Sequence, residues 1–406
     1  MKKEKTPNIR FKKFEHNWFK ECLNKVSNSI EYGLNASAKD FDGIHKYLRI
    51  TDIDESSRLF LTDKLSSPDV NFTIEDYENY KLQKNDLLFA RTGASVGKTY
   101  LYRESDGEVY YAGFLIRARL RNSYDGNFIF QQTLTEKYKQ FIEIISQRSG
   151  QPGVNGKEYG EWNVGMTTYH EQSAIGSLFR TLDDLLTSYK VNLDNYQSLK
   201  ATMLSKMFPK AGHTVPEIRL DGFKGDWKKD TLEPYLTESR ISGDTGLTAK
   251  KITVKLWGKG VVEKEEKYAG SSNTQYFIRK AGQFIYSKLD FQNQAFGIIP
   301  NKLDGYQSTL DLPTFDIQNI DPKFLLEYVM RREFYEYQGL IANGSRKAKR
   351  IHPEDFLVMP VRIPSLDEQQ AIGSYFSNLD NLIATHQEKI SQLETLKKKL
   401  LQDMFI

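Results

Sequence analysis

The sequence predicts an α+β chain in which two α/β heads are joined by two long antiparallel coiled-coil helices, with an internal pseudo-twofold repeat. Three observations carry that expectation: a start motif that occurs twice, a tail repeated without gaps, and a heptad-like apolar seam along each tail. Residues 7–18 (PNIRFKKFEHNW) return as residues 216–227 (PEIRLDGFKGDW), so Pro7, Ile9, Arg10, Phe14 and Trp18 recur as Pro216, Ile218, Arg219, Phe223 and Trp227. His170–Phe208 aligns on Asp367–Phe405 with 15 identities in 39 positions, ending in Met207-Phe208 and Met404-Phe405. The offset is 209 at the start motif and 197 at the tail, so the first copy is 12 residues longer between the two. Leu87–Arg91 already matches Phe284–Lys288 at 197, which places the extra residues between Trp18 and Leu87.

Each tail reads as a helix. Thr168 with Glu171, and Ser365 with Glu368, have capping-box spacing at matching positions, and each opens an apolar-periodic run. In the first tail Leu182, Leu185, Tyr189, Leu193, Tyr196, Leu199, Met203 and Met207 step by three or four. Leu379, Leu382, His386, Ile390, Leu393, Leu396, Leu400 and Met404 occupy the same places in the second. Thirty-nine helical residues make a rod of roughly 58 Å. Such a rod cannot bury its stripe alone, and two equal seams in one chain favour intramolecular pairing over an oligomerisation zipper.

The segments 10–165 and 219–362 mix short aromatic and β-branched runs with turn residues. Tyr47–Ile50, Tyr100–Tyr102, Phe114–Ile116, Lys251–Val254 and Gln283–Tyr286 read as strands of a twisted or barrel-like sheet. Late in each head a helical stretch is expected, Phe128–Gln147 and Pro322–Ile341, followed by a polar loop.

Two loop pairs carry the best functional signal. Arg91, Thr92, Ser95 and Lys98 combine two cations and two hydroxyls on a glycine-containing loop, a set suited to phosphates or guanine edges. Its counterpart holds Lys288, Asn293 and Gln294, and side-chain amides suit adenine edges. The second pair is Gln151 to Asn155 in the first copy against Arg346, Lys347, Lys349 and Arg350 in the second, where four cations in five positions read as a phosphate grip. For any single residue a solvated loop tip is the simpler reading.

Bulk properties bound the rest. The net charge of +4 and a pI near 8.7 lean only slightly towards a polyanionic partner. One cysteine, Cys22, excludes a disulfide framework and a thiolate metal site. The charged start enters no apolar stretch of signal-peptide length and no apolar run spans a membrane, so a cytoplasmic protein is expected. Gly93–Lys98 imitates a phosphate-binding P-loop but has three residues between its glycines where that motif has four. Gly258-Lys-Gly260 lacks the third glycine of a dinucleotide fingerprint, no Pro-Pro pair occurs, and the six histidines have no ligand spacing. No catalytic or metal constellation emerges.

Taken together, these residues resemble the specificity (S) subunits of type I restriction–modification systems. The resemblance rests on the repeated starts (Phe14/Trp18 and Phe223/Trp227), on Leu87–Gly93, and on Gly344–Ile351. Its strongest part is Ile363-Pro364 leading to Glu368-Gln369 and Ala371-Ile372 before the long helix. It implies two target recognition domains (residues 1–165 and 213–362) separated by a central helix (166–212) and followed by a C-terminal helix (363–406). Each domain would read one half of a split double-stranded DNA site, with the helices setting the gap. The partners implied are two modification subunits, which bind S-adenosylmethionine and methylate adenine, and restriction subunits, which use ATP and magnesium. This chain would be non-catalytic and hold no cofactor of its own. The first tail enters through Val164–Thr168 without the Ile-Pro of the second, which leaves the central helix free to start differently. Two other readings stay open: a coiled-coil scaffold with protein-binding heads, and a self-sufficient methyltransferase or nuclease.

Overall fold

The computed structural model describes residues 6–147, 151–265, 271–341 and 350–406. It divides into two compact units: the chain up to Val191 together with Gln387–Ile406, and Asn192–His386. Each unit is built on a four-stranded antiparallel sheet. In the first, β1 (Ser27–Tyr32), β2 (Asp86–Ala90), β3 (Thr99–Leu101) and β4 (Leu115–Leu120) lie in the order β1-β4-β2-β3. In the second, β5 (Leu236–Glu238), β6 (Phe284–Tyr286), β7 (Phe296–Ile298) and β8 (Thr314–Ile317) repeat that order as β5-β8-β6-β7. Phe89 and Ala90 in β2, like Phe284, Ile285 and Tyr286 in β6, are buried on both faces because other layers cover the sheet. Each expected strand overlaps an observed one, though the one expected at Phe114–Ile116 runs on to Leu120 and the one at Tyr47–Ile50 stops at Leu48.

The single helical stretch expected late in each head is broken into two. In the first unit α1 (Gly126–Gln132) and α2 (Glu136–Ile145) are separated where Thr135 leaves the helix to cap α2, its hydroxyl accepting from the Tyr138 N–H. The two long helices follow: α3 (Tyr169–Lys206) and, at the chain's end, α6 (Leu366–Asp403). In the second unit α4 (Pro322–Met330) and α5 (Arg332–Gln338) are split at Arg331, whose guanidinium lies 4.2 Å from the Tyr328 ring centroid and 4.6 Å from that of Phe208. Both long helices start at equivalent positions, so the missing Ile-Pro has no effect on where α3 begins. Among the described residues no helix is long and apolar enough to cross a membrane.

The repeated motifs meet in space. A strand just after each start motif pairs antiparallel with the strand just before each tail: Phe19–Cys22 with Asn163–Met166, and Lys228–Thr231 with Pro360–Ile363. Arg10 Nε lies 2.6 Å from Glu171 Oε1, and Arg219 Nη2 lies 2.7 Å from Glu368 Oε2. These are the glutamates expected in capping boxes. Fully buried, they instead take the start-motif arginine, because a carboxylate out of water needs a cation more than a neutral N–H. The adjacent glutamines reach the other way: Gln172 and Gln369 accept from the Asp125 and Asp321 N–H groups, at the caps of α1 and α4. Gly176 and Gly373 complete the contact. A Cβ on either would lie 2.3 Å or 2.6 Å from the carboxylate of that same aspartate.

Above this anchor sits one ring cluster per unit. Trp18, Phe128, Phe179 and Phe405 form it in the first unit, with Phe405 5.5 Å from Phe128 and 5.6 Å from Phe179. Trp227, Phe324, Phe376 and Phe208 form it in the second, at 5.6 Å and 6.1 Å for the matching pairs. Thus Phe208, at the end of α3, closes the core of the second unit, and Phe405, at the end of α6, closes that of the first.

Within each unit the segments of α3 and α6 run antiparallel, and their seam differs from the expected one. Leu185, Leu199, Leu382 and Leu396 are exposed, and Leu186, Lys200, Ile383 and Lys397 take their places, giving an unbroken 4-3 alternation. The two lysines belong there because each finds an acid: Lys397 Nζ lies 2.6 Å from Asp183, and Lys200 Nζ lies 2.7 Å from Asp380 and 3.2 Å from buried Glu327. Their alkyl stems extend the apolar stripe while the ammonium groups stay at its edge.

Three outcomes follow for stability. Replacing Arg10 by Ala strands a buried carboxylate and should cost the first unit about 3 kcal/mol in chemical denaturation; an unchanged midpoint would contradict the anchor. Burial pushes the Glu171 carboxyl up, but hydrogen bonds from Arg10 and Thr167 outweigh it and hold it below the ordinary value of 4.5. The pair therefore stabilises fully above that value, and its contribution disappears as pH falls through the lower folded value. Phe405→Ala should cost about 3–5 kcal/mol and act on the first unit, although the residue stands at the far end of the sequence.

Candidate nucleic-acid interface

The two predicted loops of the first head form one structure. The turn between β2 and β3 carries Arg91, Thr92, Ser95 and Lys98, and Thr92 bridges to Gly153 in the segment holding Gln151 and Asn155. Val154 N–H donates to the Arg91 carbonyl at 2.9 Å, and Gly93 N–H to that of Pro152 at 3.0 Å. Gly93 and Gly97 adopt positive φ, which lets the loop fold back so tightly. It runs on into a strand, where a P-loop would start a helix.

The predicted side chains do different things there. Arg91 is half-buried, its guanidinium 5.0 Å above the Tyr32 ring, with an edge left open to solvent. Ser95 is half-buried and its carbonyl accepts from the Lys98 N–H. Lys98 turns inward: its ammonium lies 2.6 Å from the Glu55 carboxylate and donates to the Ile53 carbonyl, with 10% of the side chain exposed. Gln151 is exposed beside Gly93, whereas Asn155 caps the short helix Gly156–Gly160 by accepting from Glu158 N–H.

Beside Ser95 and Lys98 opens a groove of about 1060 Å³, bordered by Lys20, Arg58, Lys137, Lys139 and Lys398. Some of its cations are met from within, by Glu136 for Lys139, Glu55 for Lys98 and Asp183 for Lys397. Its described lining still holds nine Lys and Arg side chains against five Asp and Glu, a net positive wall that suits a polyanion.

The second head repeats the loop pairing with other side chains. Ile351 N–H donates to the Lys288 carbonyl at 3.1 Å, the bond equivalent to Val154 with Arg91. Arg350 Nε lies 3.6 Å from Asp311, whose carbonyl accepts from the Lys288 N–H, so Lys288 and Arg350 sit side by side. Asn293 donates to Asp290, and Gln294 occupies the left-handed region at φ 53°. Phe291 roots this turn in the aromatic core. Arg346, Lys347 and Lys349 lie outside the described residues.

One neighbour escaped the sequence reading. The hairpin tip Lys255–Gly260 is bonded to this loop by Trp257 N–H to the Asn293 carbonyl (2.8 Å) and Gly258 N–H to that of Gln294 (3.0 Å). A tryptophan between lysines and glycines was a visible signal, but Gly258-Lys-Gly260 drew attention only as a false dinucleotide fingerprint.

Comparison with known proteins agrees with this architecture. The family model for the type I restriction modification DNA specificity domain matches residues 234–395. The type I restriction enzyme MjaVIII specificity subunit of Methanocaldococcus jannaschii is 20% identical over 387 residues, covering 89% of this chain and 85% of that protein. A putative MjaX specificity subunit from the same organism is 21% identical over 348 residues, covering 80% and 79%. The crystal structure of a type I restriction–modification S subunit from M. genitalium superposes with a TM-score of 0.66 at 13% identity, covering 99% of both chains. The resemblance read from the sequence holds in family model, relatives and fold alike.

Arg91→Ala should weaken duplex binding by about 1–3 kcal/mol if the guanidinium meets a base, or lower the salt slope by about one if it meets a phosphate. Lys98→Ala should do neither, since Glu55 already holds that charge. Titrations at several salt concentrations decide, and wild-type behaviour of the Arg91 variant would remove it from the interface.

Proposed function

We propose that this chain, which resembles type I restriction–modification specificity subunits in family model, relatives and fold, reads a DNA target in two parts and directs partner subunits to it. Residues 1–165 read one half-site and residues 213–362 the other. The helical segments 166–212 and 363–406 set the number of unread bases between them. Modification subunits with S-adenosylmethionine methylate adenine at the site, and restriction subunits, as translocase and nuclease, use ATP and magnesium. None of those small molecules is assigned to this chain.

The observation that supports this reading best is the contrast inside the repeat. The two heads share sheet order, loop pairing, anchor and ring cluster. Yet the equivalent loops carry Arg91 with Thr92 and Ser95 in one, and Lys288 with Asn293 and Gln294 in the other. A common scaffold with different hydrogen-bonding groups suits two different short base sequences.

Exchanging residues 10–165 for the corresponding head of a related chain should change one half of the methylated sequence and leave the other intact. Adding one heptad to α3 after Val191, with a matching heptad in α6 after Ile390, keeps the seam in phase. It should lengthen the gap without altering either half. Methylation mapping reads both results, and altered half-sites after the insertion would refute the spacer role.

A further inference from the structure

We propose that the hairpin tip Lys255–Gly260 is a second DNA-contacting element of the second head, with Trp257 laid against the sugar and base edges of a groove and Lys255 and Lys259 on flanking phosphates. This rests on the DNA-reading role proposed above and adds to it a residue set on a different loop. Trp257 is 59% exposed, whereas Trp18, Trp162 and Trp227 are at most 5% exposed. Leaving so large an apolar side chain in water has a cost that a binding surface can recover.

Its backbone is held for the purpose. Trp257 sits at φ 59°, a region that a bulky residue seldom adopts, and the bonds from Trp257 and Gly258 to the Asn293 and Gln294 carbonyls fix it there. Lys255, Trp257, Gly258 and Lys259 are all exposed around that point. The tip and the amide-bearing loop are therefore one body, and whatever positions Trp257 also positions Asn293 and Gln294.

The equivalent tip of the first head shows what the alternative looks like. Asp54–Leu59 closes with the same backbone bond as Lys255–Gly260, 2.9 Å in each, and Arg58 has the same φ of 59° as Trp257. It too sits against the loop after the second core strand, through Lys98 and Ile53. But it is acidic, and Glu55 engages both Lys98 and Arg58. The first tip closes on its own head. The second offers two cations and an indole with no acid at the tip, which is the complement of a polyanion with stacked bases.

The test labels this chain alone with 5-fluorotryptophan, assembles it with unlabelled modification subunits, and adds duplexes carrying the methylated site. Four fluorine resonances are expected, and Trp257→Phe identifies one of them. That resonance should shift when the duplex is added and not when the partner is added. Trp257→Ala should raise Kd roughly tenfold, and Lys255→Ala and Lys259→Ala should each lower the salt slope by about one. Because the side chain is exposed, these variants should fold like the parent. If the complex binds its site while the Trp257 resonance stays fixed and Trp257→Ala binds normally, the tip has no such role. A shift on partner addition alone would make it a protein contact and overturn the proposal equally. Failure of the complex to prefer any duplex would instead strike the DNA-reading role itself.

Discussion

Everything in this molecule hangs on a buried carboxylate that must find a cation. Glu171 and Glu368 lie at the base of the two long helices with essentially no exposure, and the cations of Arg10 and Arg219 make that tolerable. The arginines come from the start motifs, so each ion pair ties the first residues of a repeat to its tail. The neighbouring glutamine binds the head's own helix cap, and the glycine four residues further on lets that cap approach. Start, head and helix thus meet at one point in each unit, and the ring cluster packs over it.

The ring clusters add a constraint that a simple tandem repeat lacks. Phe208 and Phe405 end their helices in the unit where those helices did not begin, so neither core is complete from one repeat alone. Buried rings of this size contribute several kcal/mol each to a core. The lysines of the seam act beside them: Lys200 and Lys397 each choose one aspartate on the opposing helix, and a one-turn slip would leave both uncompensated. Register is set by charge, closure by aromatic packing.

Much of this was legible in the sequence because the identities of the repeat are themselves the contacts. Glu-Gln, the helical glycine, the two phenylalanines and the start-motif arginine and tryptophan all appear in the alignment, and all meet there, buried apart from the half-buried arginines. Their roles were less legible. Glu171 at capping-box spacing looks like a cap until Arg10, 161 residues away, is brought to it. A lysine in a heptad looks like an error, so Leu185 and Leu199 were the natural choices over Leu186 and Lys200; only the opposing aspartate explains the difference. In the loops, residue type suggested nucleic acid, but burial decides availability. Lys98 is turned in to Glu55, whereas Arg91, Gln151, Lys288 and Arg350 keep some surface, and Asn155 stays exposed while its side-chain oxygen caps a helix. Trp257 was hidden because its importance comes from a backbone contact to a loop 36 residues on.

The heads therefore differ where they are free to differ and agree where the fold requires it. A shared anchor, sheet and ring cluster hold loops whose hydrogen-bonding groups are unlike, as the proposed reading of two dissimilar half-sites requires. Sequencing the methylated adenines of a host that expresses this chain with the proposed modification partner tests that directly. Two short specified blocks, different from each other and separated by a constant number of unspecified bases, are the expected result. A single continuous block, or a methylation pattern that persists when this chain is deleted, would contradict it.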